Sequence, residues 1–426
     1  MNNFKDLYGY ELKKICRRKI VWITMVIMLV ISFWMAFMQV MTTYTYTDAG
    51  TGKMVELSGY EILQRNKSNA QTIEGRLIDD ALLAEVKECY RGVYYSGDFG
   101  VDGLSGEDGA TMSATMMAGE SLADAELRMK ERERLKMIHQ YVGRIAGDDN
   151  AIHVISAEEL YEERMKDLQE GMFCQKLTEG EMVYWRQEAE NISTPFVYGY
   201  ADGYDLMIGE VYSLNIMLLL AIVICLSTVF SEEHMRKTDQ LILCSKYGKR
   251  TLYMAKISAG VTFGFTGAVA MLLASFIPTL LIYGTEGFDV ALQIYSPFAH
   301  WNITMGEAVI IMALLYLVVA VFYSILTMFL SEALRNSVAV MGIMFGGMLF
   351  TLCYAPYTEF RIFNQIYELL PTMIFGMWEF LDLQLVKIFG VYFRNLQIAP
   401  ILYMVCSVIL VVAGRKLYKN YQVSGR

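Results

Sequence analysis

Few residues of this chain are spaced for chemistry, and their arrangement excludes most of it. The four histidines, His139, His153, His234 and His300, are scattered, and no H-E-x-x-H run exists. None of the seven cysteines stands at metal-ligand spacing from another. No metal and no resident cofactor is expected. Nucleotide hydrolysis needs a glycine-rich loop, G-x-x-x-x-G-K-[ST], whose backbone amides cradle phosphates. That pattern is absent, and Gly50-Thr51-Gly52-Lys53 lacks the first glycine at the right distance. If the chain moves anything with ATP, another subunit must burn it. Cys225, Cys353 and Cys406 fall in apolar segments, and Cys89 and Cys174 fall in one long polar block. Two readings of Cys89 and Cys174 stand: one disulfide in an oxidising compartment, or two unpaired thiols.

What remains is charge beside apolar surface. Lys13, Lys14, Arg17 and Arg18 cluster near the N-terminus, next to Phe4, Leu7, Tyr8, Leu12 and Ile15 at helical spacing. Such a helix, over residues 1–19, lies in the membrane interface, its apolar face at the acyl boundary and its cations near anionic headgroups. The plainer alternative is that these charges only set topology.

The elements that must carry these residues are long and apolar. Six segments stand out: 20–40, 211–230, 257–283, 308–330, 338–355 and 397–414. About 20 mostly apolar residues cross roughly 30 Å of hydrocarbon as a helix. The expected fold is therefore an α-helical polytopic membrane protein with six transmembrane helices. Segment 20–40 is too long for a cleavable signal, and Met41-Thr42-Thr43-Tyr44 offers no small-residue cleavage site, so it reads as a retained anchor. The spans hold almost no ionisable residue. That argues against a proton relay or intramembrane catalysis, both of which need such groups at depth.

Lys and Arg collect on the cytoplasmic side of spans. They precede the first span, fill the connection 231–256 and follow the last span as Arg415, Lys416 and Lys419, whereas residues 284–307 contain none. Every alternate connection then agrees, with both termini cytoplasmic. The net charge of −9 hides an asymmetry: residues 41–210 carry 32 acidic and 16 basic side chains, so the rest of the chain is net positive. This is the ordinary consequence of topology and gives no sign of nucleic-acid binding.

Residues 41–210 read as a mostly helical extracytoplasmic domain inserted between the first two spans. Ser58-x-x-Glu61, Ser156-x-x-Glu159 and Thr178-x-x-Glu181 are capping boxes that open helices. The first helix is expected to run to about Tyr90, others over 121–145, 157–172 and 179–191, with 92–119 as loop. The connection 356–396 is expected outside too. Its apolar pieces around Leu369-Leu370-Pro371, Met373 to Trp378 and Ile388 to Phe393 are too short to span and suit re-entrant or interfacial helices.

The connection 231–256 is the most specific stretch. Glu232 and Glu233 follow the second span, then Lys237-Thr238, a Leu-rich stretch with Leu241 and Leu243, then Ser245, Gly248-Lys249-Arg250 and Lys256 at the next span. Together with the basic interfacial helix, the six spans and the external segment, this order resembles the membrane subunit of ABC-2 type transporters, in particular bacterial members with a large first external loop. Lys237 stands where many members have Gly.

The resemblance implies a permease subunit of an exporter in the bacterial plasma membrane. Two ATP-binding subunits and a second permease, the same or paralogous, would complete it within the membrane lipids. The loop would be the coupling element, with Glu232, Glu233, Lys237, Thr238, Leu241, Leu243, Ser245, Gly248, Lys249 and Arg250 at the ATPase. The path would lie between the permeases near the second and fifth spans, and few charges there favour a hydrophobic or amphipathic cargo such as a peptide antibiotic, drug or lipid. A different reading is a non-transporting sensor or mechanotransmission subunit that acts through the acidic domain.

Overall fold

The computed structural model describes residues 2–38, 40–47, 54–91, 93–96, 111–114, 122–235, 251–354 and 360–420. The chain forms two compact units. One comprises Met1–Phe37, Leu206–Ile282 and Val309–Arg426, the other Met38–Asp205 and Tyr283–Ala308.

Helix α1 (Asn2–Cys16) and helix α2 (Lys19–Met35) meet at a bend of 70°. The bend falls at Arg17-Arg18, where Arg18 is extended and caps α2. Helix α2 is apolar on nearly every side, and Ile20, Trp22, Ile23, Val26, Ile27, Val30, Phe33 and Trp34 are exposed. A helix that is hydrophobic all round has to be covered by lipid or protein.

The second unit begins with strands β1 (Thr43–Thr47) and β2 (Met54–Ser58), an antiparallel pair. Helix α3 (Gly59–Ile73) follows, opened by the Ser58–Glu61 capping box. The single helix expected up to Tyr90 is in fact two. Gly75 takes φ +77°, a left-handed conformation open to a residue without Cβ. Its N–H donates to the Tyr198 carbonyl at 2.9 Å. The Asp79 carboxylate then caps helix α4 (Asp80–Cys89) by accepting from Leu82 N–H at 3.0 Å.

Within the stretch expected as loop, β3 (Val93–Ser96) pairs antiparallel with β4 (Thr111–Ala114). Helices α5 (Leu122–Ala146), α6 (Ala157–Cys174) and α7 (Glu179–Glu190) complete the unit close to their expected bounds. Cys89 and Cys174 are not bonded to one another; Cys89 is half-buried and Cys174 exposed.

The core of this unit gathers Ile73, Ile78, Leu82, Val86, Leu135, Ile138, Val142 and Leu160 with Phe196, Tyr198 and Ile294. Each fully buried aliphatic or aromatic side chain contributes about 1.5–3 kcal/mol. Ile294 comes from the connection Tyr283–Ala308. Arg164 holds that connection in place. Its guanidinium is 2% exposed and donates to the carbonyls of Pro297 at 2.7 Å and Ala299 at 2.9 Å.

The remaining helices are α8 (Asp202–Leu226), α9 (Thr228–Met235), α10 (Thr251–Tyr283), α11 (Met305–Leu334), α12 (Ser337–Cys353) and α14 (Asn395–Asn420). A short α13 (Arg361–Glu368) precedes α14. Among the described residues four helices are long and apolar enough to cross a membrane: Asp202–Met235, Thr251–Tyr283, Met305–Leu334 and Asn395–Lys419. The bent pair α1–α2 makes a fifth candidate, and α12 is a shorter apolar helix of 17 residues.

Helix α8 starts well before Val211, and this brings Glu210 into it. The Glu210 side chain is buried and accepts from the Ser275 hydroxyl of α10, so one carboxylate does lie among these helices. Helices α10 and α11 cross closely where glycine permits. A Cβ on Gly260 would overlap Met328, and one on Gly264 would overlap Ser324. Gly342 and Gly346 on α12 meet nothing.

The segment expected as re-entrant or interfacial helices mixes helix and strand. It holds α13, a 3₁₀ turn at Met377–Phe380, and a hairpin of β5 (Val386–Ile388) with β6 (Val391–Phe393). The hairpin turns on Phe389 and Gly390, both at positive φ, as a two-residue loop between twisted strands requires.

Candidate functional site

The residues that frame the connection after α9 form one ionic junction. Helix α8 yields to α9 at Ser227, and the hydroxyl of Ser331 on α11 serves this break. It donates to the Ser227 carbonyl at 2.6 Å and accepts from the N–H groups of Phe230 and Ser231 at 3.3 and 3.1 Å. The break therefore leaves few orphan backbone groups, and it points α9 at α1 and α10.

Glu233, on α9, receives two ammonium groups. Lys256 Nζ, from the second turn of α10, lies 2.6 Å from its Oε1, and Lys14 Nζ, from α1, lies 2.7 Å away. Lys256 also reaches Glu11 Oε2 at 3.2 Å and the Val229 carbonyl at 3.4 Å. It is fully buried, 5.5 Å above the Phe230 ring. Glu11, Lys14, Glu233 and Lys256 thus make a neutral set of four from three helices. Burying two ions is costly unless every charge finds partners, and here each does.

Beside this set Arg18 pairs with Glu232 at 2.7 Å and also donates to the Thr228 hydroxyl and the Cys225 carbonyl. On the far side of α9, His234 Nε2 is 3.1 Å from Glu332 Oε2 of α11. Below lies an aromatic cluster of Phe230, Tyr253 and Tyr418, with centroids 5.5–5.9 Å apart. There Tyr253 donates to the Val411 carbonyl of α14 at 3.0 Å.

The anticipated site residues divide accordingly. Glu232 and Glu233 are both engaged inside the chain, and Glu233 is 8% exposed. Its carboxylate is turned inward, to Lys14 and Lys256. Lys237, Thr238, Leu241, Leu243, Ser245, Gly248, Lys249 and Arg250 lie outside the described residues. Of the four interfacial cations, Lys13 and Arg17 are exposed, while Lys14 and Arg18 turn into the junction.

Reading the sequence missed Glu11, Thr228, Ser331 and Glu332. Glu11 carried a usable signal: a carboxylate three residues before Lys14 and on the same helix face as the apolar row. The others show only once the helices pack. Among the described residues no group of His, Cys, Asp or Glu is placed to hold a metal ion. What the junction can do is mechanical. It makes the entry and exit of one connection, and the helix α1, move as a body.

The family model of the ABC-2 family transporter protein matches residues 6–366, from α1 into α13. The chain belongs to the ABC-2 transporter family. It is a multi-pass membrane protein and a permease subunit of an ABC transporter, and permeases of this family are membrane subunits that work with a separate ATP-binding subunit. No curated protein and no solved structure matches the chain. In the ABC-2 permease the junction is built on the two ends of the connection between the Asp202–Met235 and Thr251–Tyr283 spans.

Proposed function

We propose that the chain is the permease of an exporter in a bacterial plasma membrane, and that the connection 231–256 is its coupling element. Two ATP-binding subunits act on two permeases, either two copies of this chain or this chain and a paralogue. Leu241 and Leu243 enter an apolar groove on the ATPase, with Glu232, Lys237, Lys249 and Arg250 as polar contacts around them. Thr238, Ser245 and Gly248 belong to the same coupling element. The observation that carries this reading is the Glu233–Lys256 pair, which ties the two ends of that connection together and to α1. A push on the connection then reaches α8, α10 and α1 at once. A ligand-driven change needs one element that differs between two states, and a rigid junction can transmit it.

Both termini lie in the cytoplasm, as the distribution of Lys and Arg favours. The acidic residues 41–210 and the Lys- and Arg-free residues 284–307 then lie together outside. Their shared compact unit supports placing them on one side. All six apolar segments cross the bilayer in this reading, and the few charges within them favour a hydrophobic or amphipathic cargo.

Reconstitution with the partner ATPase into inside-out vesicles tests it, using a fluorescent amphipathic peptide and a fluorescent phospholipid as probes. ATP-dependent accumulation is expected with both subunits present and not with either alone. Accumulation of neither probe, with an ATPase that the permease stimulates, would count against the exporter reading.

A further inference from the structure

A second concentration of buried charge lies between α12 and α14, away from the junction. Glu368 ends α13, Glu379 sits in the 3₁₀ turn, Asp382 follows that turn, and Asn395 is the first residue of α14. The side-chain amide of Asn395 donates to Glu368 Oε2 at 3.3 Å and to Asp382 Oδ2 at 3.1 Å. One NH₂ group therefore bridges two carboxylates. Asn364 donates to the other oxygen of Glu368 at 2.7 Å, and the Gln384 N–H to Asp382 Oδ1 at 3.2 Å.

Glu379 is the independent observation. It is 3% exposed, and neither of its oxygens has a hydrogen-bond partner among the described residues. The charges acting on it are those of Asp382 and Glu368, and the Asn395 amide faces it. The buried oxygens Asn395 Oδ1 and Gln384 Oε1 are unpartnered as well. Every unmet group named here is an acceptor, so what the cluster lacks is donors.

Among the described residues no Lys or Arg is ion-paired with Glu368, Glu379 or Asp382. Lys387 turns across the hairpin to the Tyr392 hydroxyl at 3.3 Å. Arg394 is buried just before Asn395, and Arg361 starts α13. From α14 the Tyr403 hydroxyl donates to the Leu369 carbonyl at 2.8 Å, and from α8 the Tyr212 ring packs on Trp378 at 5.4 Å.

Three close carboxylates, Glu379 buried and Glu368 and Asp382 half-buried, resist ionising together without a counter-charge. A carboxylic acid, unlike a carboxylate, has a donor to give. We propose that Glu368, Glu379 and Asp382 form a proton-binding site that fastens residues 361–394 to the first turn of α14. One proton is shared between Glu368 and Asp382, as in other close carboxyl pairs, and a second sits on Glu379, facing the Asn395 amide. Burial holds all three groups above the usual carboxylate range, and the neighbouring carboxylates add to it at Glu379 and Asp382. The sign follows from linkage. Groups whose folded-state affinity for protons is raised stabilise the fold fully at low pH, and that stability is lost as pH rises through the raised values.

The test is infrared difference spectroscopy of the full chain in nanodiscs, between pH 6 and pH 9.5, with thermal unfolding on the same samples. Wild type is expected to show the carbonyl stretch of a protonated carboxylic acid at pH 6, lost at pH 9.5 together with a drop in Tm. Glu379→Gln keeps shape and supplies a permanent donor. It should lose part of that band and flatten the dependence of Tm on pH. Glu368→Gln and Asp382→Asn are read separately, so that one variant failing to fold leaves the measurement intact. Identical acid bands in wild type and all folded variants would overturn the proposal. So would a missing band with a Tm that rises on adding Na⁺, Mg²⁺ or Ca²⁺, because a cation would then hold the cluster.

Discussion

Lys256 Nζ lies 2.6 Å from Glu233 Oε1, and the lysine is fully buried. The two residues bracket the connection proposed as the coupling element, so this pair fixes the distance between its ends. Lys256→Met leaves Glu11 and Glu233 with only the half-exposed Lys14 between them. Stranding buried charge in this way costs about 3–5 kcal/mol. The double variant Lys256→Met, Glu233→Gln should recover a large part of that loss, because no unpaired charge stays buried beyond Glu11, which keeps Lys14. Thermal unfolding of the single and double variants in detergent checks this. Additive losses would mean that the pair does not interact.

Arg164 should be the fastening of the connection Tyr283–Ala308. Arg164→Ala removes two charge-assisted hydrogen bonds to the Pro297 and Ala299 carbonyls and leaves Ala299 with only the Gln293 amide at 3.3 Å. A loss of about 3 kcal/mol is expected, with new protease cleavage between residues 284 and 304. Unchanged cleavage would show that the core contact of Ile294 suffices.

The acidic unit should weaken on acidification through His139. This ring is 3% exposed and stacked on Tyr90 at 4.0 Å. Burial, and then the nearby His153, lower its pKa to about 4. A histidine depressed in the folded state gives stability that is present above its unfolded value near 6.5 and lost as pH falls toward 4. The loss approaches about 3 kcal/mol at the low end. His139→Gln should flatten Tm between pH 4.5 and 7. An equally steep profile in the variant would assign the effect elsewhere.

The glycines of α10 and α12 should differ sharply. Gly264→Leu drives a side chain into Ser324 and Gly260→Leu one into Met328, so both should fail to give folded protein or lose several degrees of Tm. Gly342→Leu has open space and should be near neutral for the folded chain. Size-exclusion profiles and Tm of the three variants decide it.

Features set by neighbours in sequence were legible. The capping boxes at Ser58, Ser156 and Thr178 depend on spacing of three and open α3, α6 and α7. The basic helix α1 and the apolar helices followed from periodicity and length. The break at Gly75 was misread because the apolar period continues through Ile73, Ile78 and Leu82. Only the left-handed turn and the Asp79 cap interrupt it. The hairpin at 386–393 was hidden by composition, since a short apolar run does not distinguish strand from helix.

The junction was out of reach for a different reason. Glu11 and Lys256 are 245 residues apart, and charge pairing at that range depends on packing. Lys14 and Arg18 looked like headgroup cations because a sequence does not show which side of a helix faces protein. The same blindness made Glu233 look like a surface contact.

The most direct measurement is purification of the tagged chain from its native host in mild detergent, with mass spectrometry of what accompanies it. A stoichiometric P-loop ATPase is predicted with the wild type and with Gly342→Leu. It should be lost on Leu241→Asp although the variant still inserts and unfolds at the wild-type temperature. Retention of the ATPase by a folded Leu241→Asp chain, or no ATPase with the wild type across several detergents, would contradict the coupling role of residues 231–256.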